Sequence, residues 1–213
     1  MTERGILFSG AMVRALLNGG KTQTRRVVKP QPVEQNGWVG GAYWERRPAR
    51  GMLPADQWCI RDMLQFSPYG QPGDRLWVRE TFIAFGRWET RFSEKKGRDE
   101  WHFVDMTLDT GREYRFGGAL PNARRDSVTP AWWKRPSIHM PRAASRINLE
   151  IVDVHVERLQ DISEADAIAE GWPRDSFPLP WYHDLWDSLN AHRGYGWDVN
   201  PWVWVVEFKK VGE

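Results

Sequence analysis

The sequence predicts a mainly β domain with a few short helices (α+β), arranged as a small β-barrel with two loop insertions rather than a doubly wound sheet. Three observations carry this. Strand-like runs stand at 75–82 (RLWVRETF), from Arg146 to Leu159, and at 202–208 (WVWVVEF). The helical patterns are short. The stretches between, 30–72 and 83–141, are rich in turn residues. A chain of 213 residues fits one domain, 1–213, carrying those two stretches as insertions.

The first element is a helix. Ser9 can cap it, and Met12, Val13, Leu16 and Leu17 recur at helical spacing. Asn18-Gly19-Gly20 stops it, and the basic segment KTQTRRVVKP begins at Lys21. Residues 30–72 read as an ordered loop. The turn Gln71-Pro72-Gly73-Asp74 then feeds the first clear strand. Within 83–141 the runs WETRF, WHFVDM and REYRF suggest one or two hairpins.

In the long strand, Ile147, Leu149 and Ile151 face one way and Val154 and Val156 continue out of phase. That slip reads as a β-bulge near Val152-Asp153. Ser163 with Asp166 forms an acidic capping box for a short helix that Gly171 ends. Glu170 is its last residue, where a carboxylate opposes the helix dipole. A residue set against local preference is a functional candidate. A third helix spans about 181–191, and the 202–208 strand closes the fold.

Composition excludes several classes. No apolar run approaches the roughly 18 residues of a membrane span, and MTERGILFSG lacks a secretory signal. A single cysteine, Cys59, excludes an internal disulfide framework. A cytoplasmic monomer is the expectation. The net charge of +2 is too small to name a partner, so placement matters more. Residues 121–146 hold Arg124, Arg125, Lys134, Arg135, Arg142 and Arg146 against Asp126 alone, and 157–170 is acidic. This reads either as a basic face for phosphate or as a solvated surface with scattered arginines. Trp132 and Trp133, beside Lys134 and Arg135, either stack on bases or pin a loop.

No phosphate loop, GxGxxG, HExxH or GxSxG pattern is present, and the five histidines are dispersed. No metal and no cofactor is expected. Lys21 and Thr24, three apart, can share a face on a helical turn or tight loop. A threonine hydroxyl becomes a nucleophile when a base takes its proton, and a lysine is that base only when neutral. The same spacing also suits a solvated lysine and a loop-stabilising threonine.

The segments ILFSGAMVRALLNGGKTQTRR, PGDRLWVRE, RINLEIVDVHVERLQDISEADAIAEG and WVWVVEF, in that order, resemble the ASCH domains of the PUA-like barrel superfamily. The resemblance covers about 75 residues and leaves out both insertions. The long, Trp-rich form with RPSIHMPR is similar to ASCH proteins of bacteriophages and prophages. One branch of that family deacetylates N4-acetylcytidine. The resemblance implies Thr24 as nucleophile, Lys21 as its base and Glu170 as proton carrier to the leaving amine. It also implies a cleft for a modified nucleoside or single-stranded RNA, and Arg26 matches a basic residue that follows the threonine in that branch. With Arg25, Trp132, Trp133 and Arg146, taken from the basic and aromatic placement above, it is a nucleotide-binding candidate. The other function class the resemblance allows is a binding module that reads RNA or a modified base without chemistry.

Overall fold

The computed structural model describes residues 1–38, 41–46 and 56–212. Strand accounts for 37% and helix for 23%, so the chain is mainly β with short helices, as expected. The strands are β1 (Glu3–Leu7), β2 (Gln23–Val27), β3 (Val33–Glu34), β4 (Ala42–Arg46), β5 (Asp56–Cys59), β6 (Arg75–Arg79), β7 (Phe82–Ser93), β8 (Arg98–Asp105), β9 (Ala131–Arg135), β10 (Asn148–Arg158) and β11 (Trp202–Val211). The helices are α1 (Gly10–Leu17), α2 (Glu164–Ala169) and α3 (Pro178–Asn190). None of the described helices is long and apolar enough to cross a membrane. The chain forms two compact units: Met1–Ile6 with Ala11–Trp77 and Ile147–Glu213, and Leu7–Gly10 with Val78–Arg146.

The first unit centres on a five-stranded sheet ordered β1-β6-β10-β11-β2. Its spine is the antiparallel β10–β11 pair, from Asn148 opposite Val211 to Arg158 opposite Trp202. The register shifts between Ile151 and Asp153, so the expected bulge is real. Strand β11 lies between β10 and β2 and is buried on both faces, which is why WVWVVEF reads as one apolar run. On one face Val203 and Val205 pack with Leu159, Ile162, Ala167, Tyr182 and Trp186. Trp204, Val206 and Phe208 are buried as well. The turn before β6 is tied to the N-terminus, where the Thr2 backbone N–H and hydroxyl both donate to Asp74 at 2.6 Å.

Two elements of this unit depart from the sequence expectation. The described part of 30–72 holds a small antiparallel sheet, β3-β4-β5, rather than loop alone. Its strands have two to five residues, too few for a period to show. Phe66 packs against Trp44 and Trp58 and anchors it. Residues 39–40 and 47–55 of that stretch lie outside the described residues. Helix α3 starts at Pro178, three residues earlier than expected, because proline in the first turn is preset for a helix start.

The second unit holds all of 83–141. Its sheet is ordered β8-β7-β9. The expected hairpin is β7–β8, and the third strand is AWWKR, residues 131–135. REYRF forms no strand; Arg115 makes only a single bridge to Ile83. Phe82, Ala84, Met140 and Ala144 form the core, with Phe103, Tyr114 and Phe116 against them. Arginines cover several rings of this unit: Arg115 over Trp132 at 3.9 Å, Arg112 over Phe85 at 4.1 Å, and Arg135 over Phe103 at 4.4 Å. Guanidinium groups stack on aromatic faces with little loss of hydration.

Trp186 is 3% exposed and donates its indole N–H to Tyr195 O at 2.7 Å. Trp186→Ala therefore opens a cavity and orphans a carbonyl. It should lower stability by about 3–5 kcal/mol, read as a lower urea midpoint with an unchanged slope. A midpoint within the range of surface substitutions would refute this packing.

Candidate active site

Three chain features converge where α1 ends. Gly20 and Lys21 N–H groups both donate to Ala15 O, which turns the chain sharply out of the helix. Lys21 then makes an antiparallel bridge with Glu170, and Thr22 N–H donates to Ala169 O at 2.8 Å. Glu170 is the C-cap of α2, whose start is fixed by the reciprocal Ser163–Asp166 capping box. Gly171 follows at φ +102, and a Cβ there would lie 2.9 Å from the Ala15 Cβ. Only glycine lets the ends of α1 and α2 come this close.

Lys21 Nζ donates to Gln23 O at 2.8 Å and to both Glu170 O and Glu170 Oε2 at 2.7 Å. Both side chains are almost wholly buried. Glu170 Oε1 accepts from the Arg25 N–H at 2.5 Å, and the Tyr182 hydroxyl lies 3.4 Å away. Burial pushes the Lys21 ammonium below its usual pKa. Glu170 opposes that shift, and the charges of Arg26 and Arg25 add to it. Burial, with the Glu170 charge second, holds the Tyr182 phenol well above its usual pKa, so it remains a neutral donor. Removing one partner of such a buried pair typically costs about 3–5 kcal/mol, because the other charge is left alone.

Thr24 is 4% exposed and pairs with Val206 across β2 and β11. The segment after Lys21 is thus a strand, not the helical turn or tight loop expected from spacing. Strand alternation sets Thr24 and Arg26 on the β2 face opposite Gln23 and Arg25. Arg26 is half-buried and its charge reaches Lys21, Tyr69 and Tyr182.

Arg25 does something different from the phosphate contact expected of it. Its side chain is 1% exposed, with Glu157 at 2.7 Å, Asp166 at 3.4 Å and Glu170 Oε1 at 3.7 Å. Gln23 joins the same group, donating to Asp166 and Glu207. Arg25 is therefore an internal counter-ion. Trp132, Trp133 and Arg146 belong to the second unit and are engaged there. Trp132 sits edge-on to Phe85 beneath Arg115. Trp133 donates its indole N–H to Gly86 O at 3.1 Å. Arg146 makes a two-pronged pair with Glu80 at 2.9 and 3.0 Å and covers Phe116.

The residues missed from sequence are Tyr182, Gln23, Glu157 and Asp166. The acidity of 157–170 was the one available signal for Glu157 and Asp166. Strand pairing also places Asp153, His155 and Glu207 together, with ligand atoms within 4.8 Å of one another. That grouping of metal-ligand type was not expected from the dispersed histidines. His155 sits between carboxylates, with Glu157 3.6 Å from Nε2 and Asp153 2.7 Å from Nδ1.

Glu157 first, and Asp153 after it, raise the His155 pKa to about 9 against a partial opposing effect of burial. The folded value exceeds the unfolded one, so the imidazolium stabilises the fold fully below about pH 6.5. That contribution declines as pH rises and is gone above about 9. Urea midpoints of the protein and of His155→Gln should differ at pH 6 and coincide at pH 9.5. A gap independent of pH would show that His155 acts by packing alone.

No family model matches the chain, and no curated protein or solved structure matches it either.

Proposed function

We propose that this chain is an ASCH-type amidohydrolase of the PUA-like class, acting on N4-acylated cytosine nucleosides. The observation that carries this reading is the buried Lys21–Glu170 pair, at 2.7 Å, with Lys21 three residues before a buried threonine on β2. No sheet among the described residues closes into a barrel, and the PUA-like barrel is part of this proposal. It rests on the order of the motifs, with β1–α1–β2 and β10–α2–β11 contributing to one sheet.

The chemistry follows from the pair. Lys21 carries a proton that lies on a short hydrogen bond to Glu170 Oε2. Moving it along that bond leaves a neutral amine and a neutral carboxyl. Burial disfavours the Lys21 charge and so favours this move. The neutral amine then takes the Thr24 hydroxyl proton as the oxygen attacks the acyl carbonyl. The carboxyl gives its proton to the departing N4 amine. The pair is then back at its starting charges. A second proton shift along the same bond lets Lys21 take a proton from the water that attacks the threonyl ester, and the Glu170 carboxyl returns a proton to the departing Thr24 oxygen. Arg26, beside Lys21, helps keep the amine neutral.

The second reading is a module that binds a modified base or single-stranded RNA without turnover. What favours it is the way Gln23 O and Glu170 O hold the ammonium in place.

Acetate release from N4-acetylcytidine separates the two. The protein should release acetate, and Thr24→Ala should lose at least about a hundredfold in rate. Lys21→Arg should be as damaging, because a guanidinium keeps its proton. Glu170→Gln should retain ligand binding and lose turnover. Thermal melts of each variant separate a lost reaction from a lost fold. Equal release by the parent protein and Thr24→Ala would leave the binding module as the function.

A further inference from the structure

A cavity of about 580 Å³ opens beside the buried pair, with Gly20 and Gly171 in its wall. Its size falls within the range of small-ligand sites, roughly 300–1,000 Å³. Helix α1 contributes Arg14 and Asn18, the segment after Glu170 contributes Trp172 and Arg174, and α3 contributes Trp181 and Leu185.

The chemistry of this lining is one-sided. Both ionisable lining side chains, Arg14 and Arg174, are cationic. Both are exposed, and among the described residues neither guanidinium has an ion-pair or hydrogen-bond partner. This separates them from Arg25, which is surrounded by carboxylates. Trp172 is half-buried, and its indole N–H is shielded from water with no acceptor among the described residues. Arg174 is one of two non-glycine residues with positive φ among those described, at +67. Such backbone strain persists where the surrounding structure holds it, and it clusters at ligand sites.

Indole walls fit a planar ring, and unpaired guanidinium groups fit a phosphate. We propose that this cavity seats a nucleoside monophosphate, its ring against Trp172 and Trp181 and its phosphate on Arg14 and Arg174. The inference rests on the nucleoside-binding reading above and deepens it: the substrate class is the 5′-phosphorylated nucleotide rather than the free nucleoside. The ring lies against the wall that holds Gly20 and Gly171, the chain neighbours of Lys21 and Glu170, while the phosphate stays at the exposed arginines.

Calorimetric titration with cytidine and with cytidine monophosphate at low salt tests it. The monophosphate should bind at least about tenfold tighter than cytidine, the usual size of a charge-assisted hydrogen bond. Arg174→Gly should bring the two ligands to within about threefold while leaving cytidine unchanged. Glycine adopts the left-handed backbone without strain, so this variant should melt no lower than the parent. Arg14→Gln should erode the preference in the same direction. Equal binding of the two ligands, no binding of either, or a preference that survives both substitutions would overturn the proposal. Acetate release from N4-acetylcytidine without a phosphate preference would sink this inference alone. A phosphate preference without acetate release would sink only the amidohydrolase reading.

Discussion

An ammonium group removed from water has to be answered by oxygen, and the first unit is organised around that demand at Lys21. Its Nζ meets two backbone carbonyls and one carboxylate, all within 2.8 Å. Each acceptor imposes something on the chain. Gln23 O requires a sharp exit from α1. Glu170 O requires α2 to end in place, and Glu170 Oε2 requires that side chain to turn inward. The spare oxygen of Glu170 then takes the Arg25 amide, which fixes where β2 begins. Burying Arg25 in turn calls for Glu157 and Asp166. One buried cation thus propagates through α1, β2, β10 and α2.

The sheet supplies the rigidity this network needs. Strand β11 is covered on both faces, so the strands beside it have little freedom to slide. The bulge at Val152 restores the alternation that brings Asp153, His155 and Glu157 to one side of β10. Without it, Glu157 would be a residue out of step with Arg25.

Much of this was legible in the sequence, and the failures share a cause. The phase slip in β10, the Ser163–Asp166 cap and the misplaced charge of Glu170 are local signals, readable within a few residues. Arg25 was misread because its partners, Glu157 and Asp166, are more than a hundred residues away, and nothing local distinguishes a buried arginine from an exposed one. Tyr182 was invisible for the same reason. Trp132 and Trp133 were read as candidates for base stacking because they lie between prolines beside cations. In the fold those residues form β9, where Arg115 from a distant turn covers Trp132 and Trp133 donates its indole N–H to Gly86 O instead. The Lys21–Thr24 spacing was read as a turn, yet bridging to Glu170 and pairing with β11 draw the segment out as a strand.

Gly171 bears on how variation in this protein should be interpreted. A side chain at that position is refused twice, by the left-handed backbone and by the Ala15 and Lys21 side chains 2.9 and 3.3 Å away. The refusal is purely one of shape. A mutational scan would score position 171 as intolerant as Glu170 beside it, and an invariant Glu-Gly pair would look like a single chemical motif. It is two constraints of different origin. The glutamate answers to charge and the glycine to space, so loss of activity at 171 carries no information about the reaction.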